Sequence, residues 1–185
     1  MSSTIRWCFS FCAVFPKDYE IKTHVLIKLW MALGYLSSSR SREIEVTGQE
    51  YFECLAAHSL FHNFIKDDDS SIIQCKMHDI VRDFAQFLTR HECVIMEIDS
   101  KKYPSLHAFY KKVCHLTLIS GTNAQMPVFN YDAVNSRTLL NLAKDIALPE
   151  LVINLGRLRA LDLNAAAIKE VPIKVWNLVH LRYLK

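Results

Sequence analysis

The residues best placed to do chemistry are a histidine and an aspartate at the head of a helical stretch, Met77-His78-Asp79, where an extended segment gives way to an amphipathic one. A helix N-terminus gathers unpaired backbone N–H groups and the positive end of the helix dipole, so it favours anions. A ring N–H of His78 can donate to such an anion. Plainer roles stay open: Asp79 as an N-terminal cap or first-turn acid, and His78 as a satisfied histidine between strand and helix. Cys75 with His78, and His58 with His62, have metal-compatible spacing, but two ligands each make a weak zinc site. Asp67-Asp68-Asp69 lacks the spaced glycine and terminal glutamate of a calcium loop and reads as a solvated hairpin tip. No G-x-S-x-G or H-E-x-x-H constellation occurs, and His91-Glu92 has no second histidine to make a zincin. The chain is therefore expected not to be an enzyme.

The elements that must position this corner follow from periodicity. Ile5 to Phe15 is apolar on every side, as for a helix buried in a larger body, and Pro16 ends it. Thr23 can cap a second helix reaching Leu33, with Val25, Leu26, Leu29, Trp30 and Leu33 on one face and Gly34 as its stop. Ser37 to Arg42 reads as a polar loop, and a third helix over about Val46–Leu60 buries Tyr51, Phe52, Leu55 and Ala56. Strands over about Phe61–Ile65 and Ile72–Met77 flank the acidic loop as a hairpin. A fourth helix, about Asp79–Thr89, is expected to turn Ile80, Phe84, Phe87 and Leu88 inward. Helix, helix and hairpin in this order make a winged-helix pattern.

From Val113 the period changes. Leu116-x-Leu118, Leu140-x-Leu142 and Leu161-x-Leu163 recur at spacings of 24 and 21 residues, and Leu184 follows Leu161 by 23. Leu158-Arg159-Ala160-Leu161 and Leu181-Arg182-Tyr183-Leu184 repeat one phrase, and the first continues through Ile168, Val171-Pro172, Val175 and Leu178. Such intervals match leucine-rich repeats, in which short strands stack alternate leucines into a shared core. The fold class expected is α+β: a winged-helix domain followed by the start of a leucine-rich-repeat α/β solenoid.

Composition narrows the function. Half the residues are hydrophobic, which opposes wholesale disorder, and a formal charge of +3 is too small and evenly spread to imply nucleic acid or membrane binding. No apolar run is long enough to span a bilayer, and the Trp7–Phe15 stretch has no small-residue cleavage site after it. Six cysteines without C-x-x-C spacing read as reduced residues packed in a cytosolic core.

Taken together, Cys8-Phe9-Ser10-Phe11-Cys12-Ala13-Val14-Phe15-Pro16-Lys17-Asp18-Tyr19-Glu20-Ile21, Leu29-Trp30-Met31-Ala32, Gly34-Tyr35-Leu36, Cys54-Leu55-Ala56 and Met77-His78-Asp79 resemble, in order, motifs of plant nucleotide-binding leucine-rich-repeat disease-resistance proteins of the coiled-coil class. The resemblance implies residues 1–20 as the end of a helical domain, 21–98 as the winged helix, 99–110 as a linker and 111–185 as the first repeats. It further implies a cytoplasmic immune switch that is closed with ADP and opened by exchange for ATP. In such a switch His78 would contact the ADP phosphates, flanked by Met77 and Asp79 of the switch motif.

The partners implied are an upstream nucleotide-binding module, further repeats downstream, and proteins that bind the repeats. No nucleic acid and no membrane insertion are expected. Departures limit the transfer: there is no G-x-x-x-x-G-K-[ST] phosphate loop, and Leu33 stands where many relatives carry glutamate. A partial copy of the parent architecture that binds nucleotide weakly alone is therefore expected. The alternatives are a truncated leucine-rich-repeat adaptor or decoy and, more remotely, a DNA-binding winged helix. The acids Glu43, Glu45, Glu50 and Glu53 on its recognition helix argue against that last reading.

Overall fold

A computed structural model describes residues 2–36, 41–98, 112–120, 135–143, 155–163 and 173–185. The chain divides into two compact units, Met1–Thr89 and Arg90–Lys185.

In the first unit, α1 (Ser3–Phe11) starts where the Ser2 hydroxyl accepts the Ile5 N–H, runs on as a 3-10 turn through Val14, and ends at Phe15. Pro16 disfavours helical backbone in the residue before it, which explains the stop. Cys8, Phe9 and Phe11 to Phe15 are buried, but Trp7 is exposed, so the helix is not enclosed on every side.

A two-residue strand, β1 (Ile21–Lys22), leads into α2 (Thr23–Leu33). Thr23 is not the cap. Lys22 holds that position in extended backbone because β1 is paired, and the buried Thr23 hydroxyl finds no hydrogen-bond partner among the described residues. Gly34 closes the helix in left-handed backbone (φ 78°), a conformation that costs glycine nothing, with its N–H on Met31 and that of Tyr35 on Trp30.

Helix α3 (Ser41–Ala57) begins five residues earlier than periodicity suggests and buries Phe52 and Leu55. The expected Ser37–Arg42 loop lies in part outside the described residues. Gly48 lets α3 approach α2: a methyl group there would stand 2.6 Å from Ile27 Cγ2 and 2.9 Å from Leu36 Cδ1.

Strands β2 (Phe61–Lys66) and β3 (Ile72–Met77) form the hairpin, and β1 joins its other edge in the order β1-β3-β2, all antiparallel. At the tip, Asp67 accepts the Ser71 N–H at 2.8 Å through its carboxylate, which gives one acid of the cluster a turn-forming role.

Helix α4 (Asp79–Leu88) has the expected extent but the opposite orientation. Ile80, Phe84, Phe87 and Leu88 face out, with Ile80 80% and Phe87 66% exposed, and only Ala85 is fully buried. The physical reason lies in the carbonyls left open where α1 ends. Arg82 Nε donates to Phe15 O at 3.4 Å and Gln86 Nε2 donates to Ala13 O, so the polar i, i+4 face is turned inward to satisfy them. Lys17 and Asp83 close the same edge with an ion pair at 3.0 Å.

Among its described residues the second unit holds five parallel strands in sequential order: β4 (Cys93–Ile98), β5 (His115–Ser120), β6 (Thr138–Asn141), β7 (Ala160–Asp162) and β8 (Tyr183–Leu184). Their register sets Leu116, Leu139, Leu161 and Leu184 in one column. Leu139 therefore occupies the place that the spacing argument gave to Leu140. With that one-residue correction the uneven intervals become a regular step of 22 or 23 residues. Leu116, Leu118, Leu139, Leu158, Leu161 and Leu163 share one core with Val113, Val175 and Leu178. Strand β4 has no counterpart in the sequence reading. The continuation at Ile168 and Val171-Pro172 and the expected linker over 99–110 lie outside the described residues.

Candidate functional site

Met77 ends β3 opposite Phe61, whose ring stacks on Phe52 with centroids 5.6 Å apart, so the strand enters the corner from a fixed, buried base. His78 then takes extended backbone (φ −60°, ψ 138°) as the N-cap of α4. Its N–H donates to Leu60 O at 3.3 Å, and its carbonyl accepts the Arg82 N–H at 2.8 Å. The backbone is thus held on both sides while the ring stays available. The His78 side chain makes no capping hydrogen bond. Instead the half-buried imidazole stacks on that of His62, centroids 4.3 Å apart and planes 16° apart. Stacking fixes the ring plane and leaves the ring nitrogens free of any capping role. Asp79 is exposed in the first helical turn, where a carboxylate complements the dipole.

The expected corner residues are therefore brought together at one strand-to-helix junction. His62 joins them unforeseen, because it lies across the hairpin, paired through its backbone with Lys76. The spacing of His58 and His62 hints at a helical pair, but His58 closes α3 with Nδ1 2.7 Å from Cys54 O, whereas His62 sits on β2. Burial pushes the Cys75 thiol up to about 12, which keeps it protonated and a poor ligand. Among the described residues no group of three or more metal-binding side chains assembles.

All six cysteines are free thiols, and Cys8, Cys12, Cys75 and Cys93 are buried. Burial raises Cys8 to about 12 as well. Among the described residues no helix is long and apolar enough to cross a membrane.

A concavity that spacing did not single out lies within the second unit. It is a cavity of about 670 Å³ at the N-terminal ends of the parallel strands. Lys112, Arg137, Arg157 and Arg159 line it. The repeated Leu-Arg phrase carries one of these cations, Arg159, and no motif marks the other three.

Residues 14–85 match the family model described as the winged helix domain of disease resistance proteins. Over 179 residues the chain is 32% identical to disease resistance protein RGA2 of Solanum bulbocastanum, an alignment covering 95% of this chain and 15% of that protein. The RGA1 protein of the same species is 29% identical, with 97% of this chain and 16% of the relative covered. Disease resistance protein SUMM2 of Arabidopsis thaliana is 24% identical, with 97% and 21% covered. The chain thus spans well under a quarter of the length of these relatives.

Proposed function

We propose that this chain, which belongs to the plant disease resistance proteins through its winged-helix domain and near-full-length similarity, acts as the switch-bearing segment of an intracellular immune receptor. In this reading the first unit supplies one wall of an ADP site, and the second unit is the start of a leucine-rich-repeat solenoid. The 22- or 23-residue step and the shared leucine core support the solenoid part.

The carrying observation is the pairing of an uncapped α4 N-terminus at His78 with an outward apolar face on the same helix. An amphipathic helix that exposes Ile80, Phe84, Phe87 and Leu88 calls for a cover. The relatives contain several times more chain than is present here, and an upstream nucleotide-binding module is the occupant that would also bring a phosphate to His78. The corner fits a phosphate: a helix N-terminus, a ring donor held in plane by His62, and backbone locked at both ends. Bound ADP would supply the negative charge that makes this geometry favourable. His78 would then donate to a phosphate oxygen and His62 would hold its plane. One such hydrogen bond to a charged group is worth about 1.5–3 kcal/mol, enough to bias a two-state equilibrium by tenfold or more.

Calorimetry with ADP tests this. The 185-residue chain alone should bind weakly or not at all, a resistance-protein nucleotide-binding module plus this chain should bind measurably, and His78→Ala should weaken that binding about tenfold or more. Tight magnesium-dependent ATP binding by the isolated chain, or no effect of His78→Ala, would overturn the reading.

The regular parallel ladder favours a second reading, a repeat adaptor that binds proteins without nucleotide. A sharp monomeric melt of the chain together with ADP-independent partner binding would select it. DNA recognition is disfavoured, because Glu43, Glu45, Glu50 and Glu53 all lie exposed on α3.

A further inference from the structure

We propose that the cavity at the N-terminal ends of β5, β6 and β7 is a binding site for a small, densely phosphorylated anion of the inositol-polyphosphate type. The site is distinct from the His78 corner and does not depend on the ADP reading.

The ladder itself builds it. Each turn contributes two lining positions, one immediately before the strand and one two residues earlier: Cys114 and Lys112, Arg137 and Asn135, Arg159 and Arg157. Neighbouring parallel strands lie about 4.8 Å apart, so side chains at equivalent positions are forced side by side. Their backbones are locked in sequence: Cys114 N–H donates to Glu92 O at 2.9 Å, Arg137 N–H to Cys114 O at 2.7 Å, and Arg159 N–H to Arg137 O at 2.8 Å. Arg157 is oriented by Asn135, whose Oδ1 accepts from Nη1 at 2.9 Å. Three arginines and a lysine thus line one concavity in which, among the described residues, Glu92 is the single acid. The whole chain carries a formal charge of only +3, so this is a local concentration and not a general basicity. Burial chiefly holds the neighbouring His115 neutral, and the charge of Arg137 acts in the same direction.

An anion would lower the mutual repulsion among these cations, and guanidinium forks match phosphate oxygens in pairs. The size suits a small molecule: about 670 Å³ falls within the range of ligand pockets. The lining also argues against a nucleotide. Among the described residues, the imidazoles of His91 and His180 are its only aromatic rings on which a base could stack.

Isothermal titration of the full chain with inositol hexakisphosphate, ATP and inorganic phosphate, alongside sedimentation with phosphoinositide-bearing vesicles, tests the proposal. Inositol hexakisphosphate should bind at micromolar concentration, at least tenfold tighter than ATP, and weaken steeply between low and physiological salt. Arg137→Ala with Arg157→Ala should lose tenfold or more, and Arg137→Lys less, while Lys17→Ala in the other unit changes nothing. Circular dichroism melts keep the variants comparable; if the double variant does not fold, Lys112→Ala carries the same test with a smaller expected loss. No heat from inositol hexakisphosphate with the folded chain, an affinity untouched by these substitutions, equal binding of ATP, or preference for the vesicle surface would each overturn it.

Discussion

Helices α2 and α4 are similar in length and both amphipathic, yet they treat their apolar residues in opposite ways. α2 buries Leu26, Ile27, Leu29, Trp30 and Leu33 against α3 and the sheet, whereas α4 leaves Ile80, Phe84, Phe87 and Leu88 more than half exposed and is anchored by Arg82 and Gln86, with Phe84 also meeting the Phe9 ring at 6.5 Å. Periodicity identifies which residues share a face. It does not identify which face is turned inward, because a helix also answers to the polar groups beside it. The carbonyls of Ala13 and Phe15 at the end of α1 need donors, and leaving such groups unpaired and buried costs about 1–3 kcal/mol each. α4 can meet that demand only with its polar side. The apolar side then remains largely surface.

The sharpest way to break this contrast is to truncate each helix in turn. Leu29→Ala on α2 should cost about 2–5 kcal/mol, the usual result for a fully buried leucine, measured by chemical denaturation.

Next in size is a test of burial acting on a titratable group. His115, at the start of β5, is buried beside the Thr138 hydroxyl at 3.1 Å, and desolvation, assisted by Arg137, pushes it down to about 3 from 6.5. A histidine held neutral in the fold but able to protonate when unfolded contributes no penalty above pH 6.5. Stability is then lost as pH falls from 6.5 towards 3, by about 2 kcal/mol at pH 5. Melting curves between pH 7 and pH 5 should show the decline, and His115→Gln should flatten it; an unchanged slope would mean that another group carries the pH dependence.

A smaller effect is expected where α3 meets α2. Gly48→Ala would gain helix propensity at an exposed site, but here the added methyl group meets the β-branched Ile27. The expected outcome is a loss of about 1–3 kcal/mol. The smallest effect belongs to α4: Ile80→Ser, at a side chain 80% exposed, should change the stability of the isolated chain by no more than about 0.5 kcal/mol. A loss comparable to that of Leu29→Ala would erase the contrast between the two helices.

Legibility in the sequence followed the same division. The hairpin was readable to within a residue because turn residues separate two β-rich runs, and the end of α2 because Gly34 is the residue that left-handed backbone favours. The start of α3 was missed because its first turns carry Glu43 and Glu45 and leave no apolar stripe to detect. Thr23 misled because pairing of β1 with β3 had already fixed Lys22 in the cap position. The Leu139-Leu140 doublet was ambiguous by one residue, and only strand pairing decides between its members. At the candidate site, Met77, His78 and Asp79 were legible as a strand-to-helix junction. His62 was not, because its partner lies 16 residues away across a hairpin whose register shifts within β2.

The central claim is that α4 presents a docking face beside His78 for a nucleotide-binding module. Titration of this chain into such a module, with ADP present, tests it most directly when Ile80→Ser with Phe87→Ser is compared with the unsubstituted chain. The account predicts ADP-dependent association that the double substitution abolishes while the melting curve of the chain alone stays in place. Association of equal strength with and without the two substitutions would contradict it.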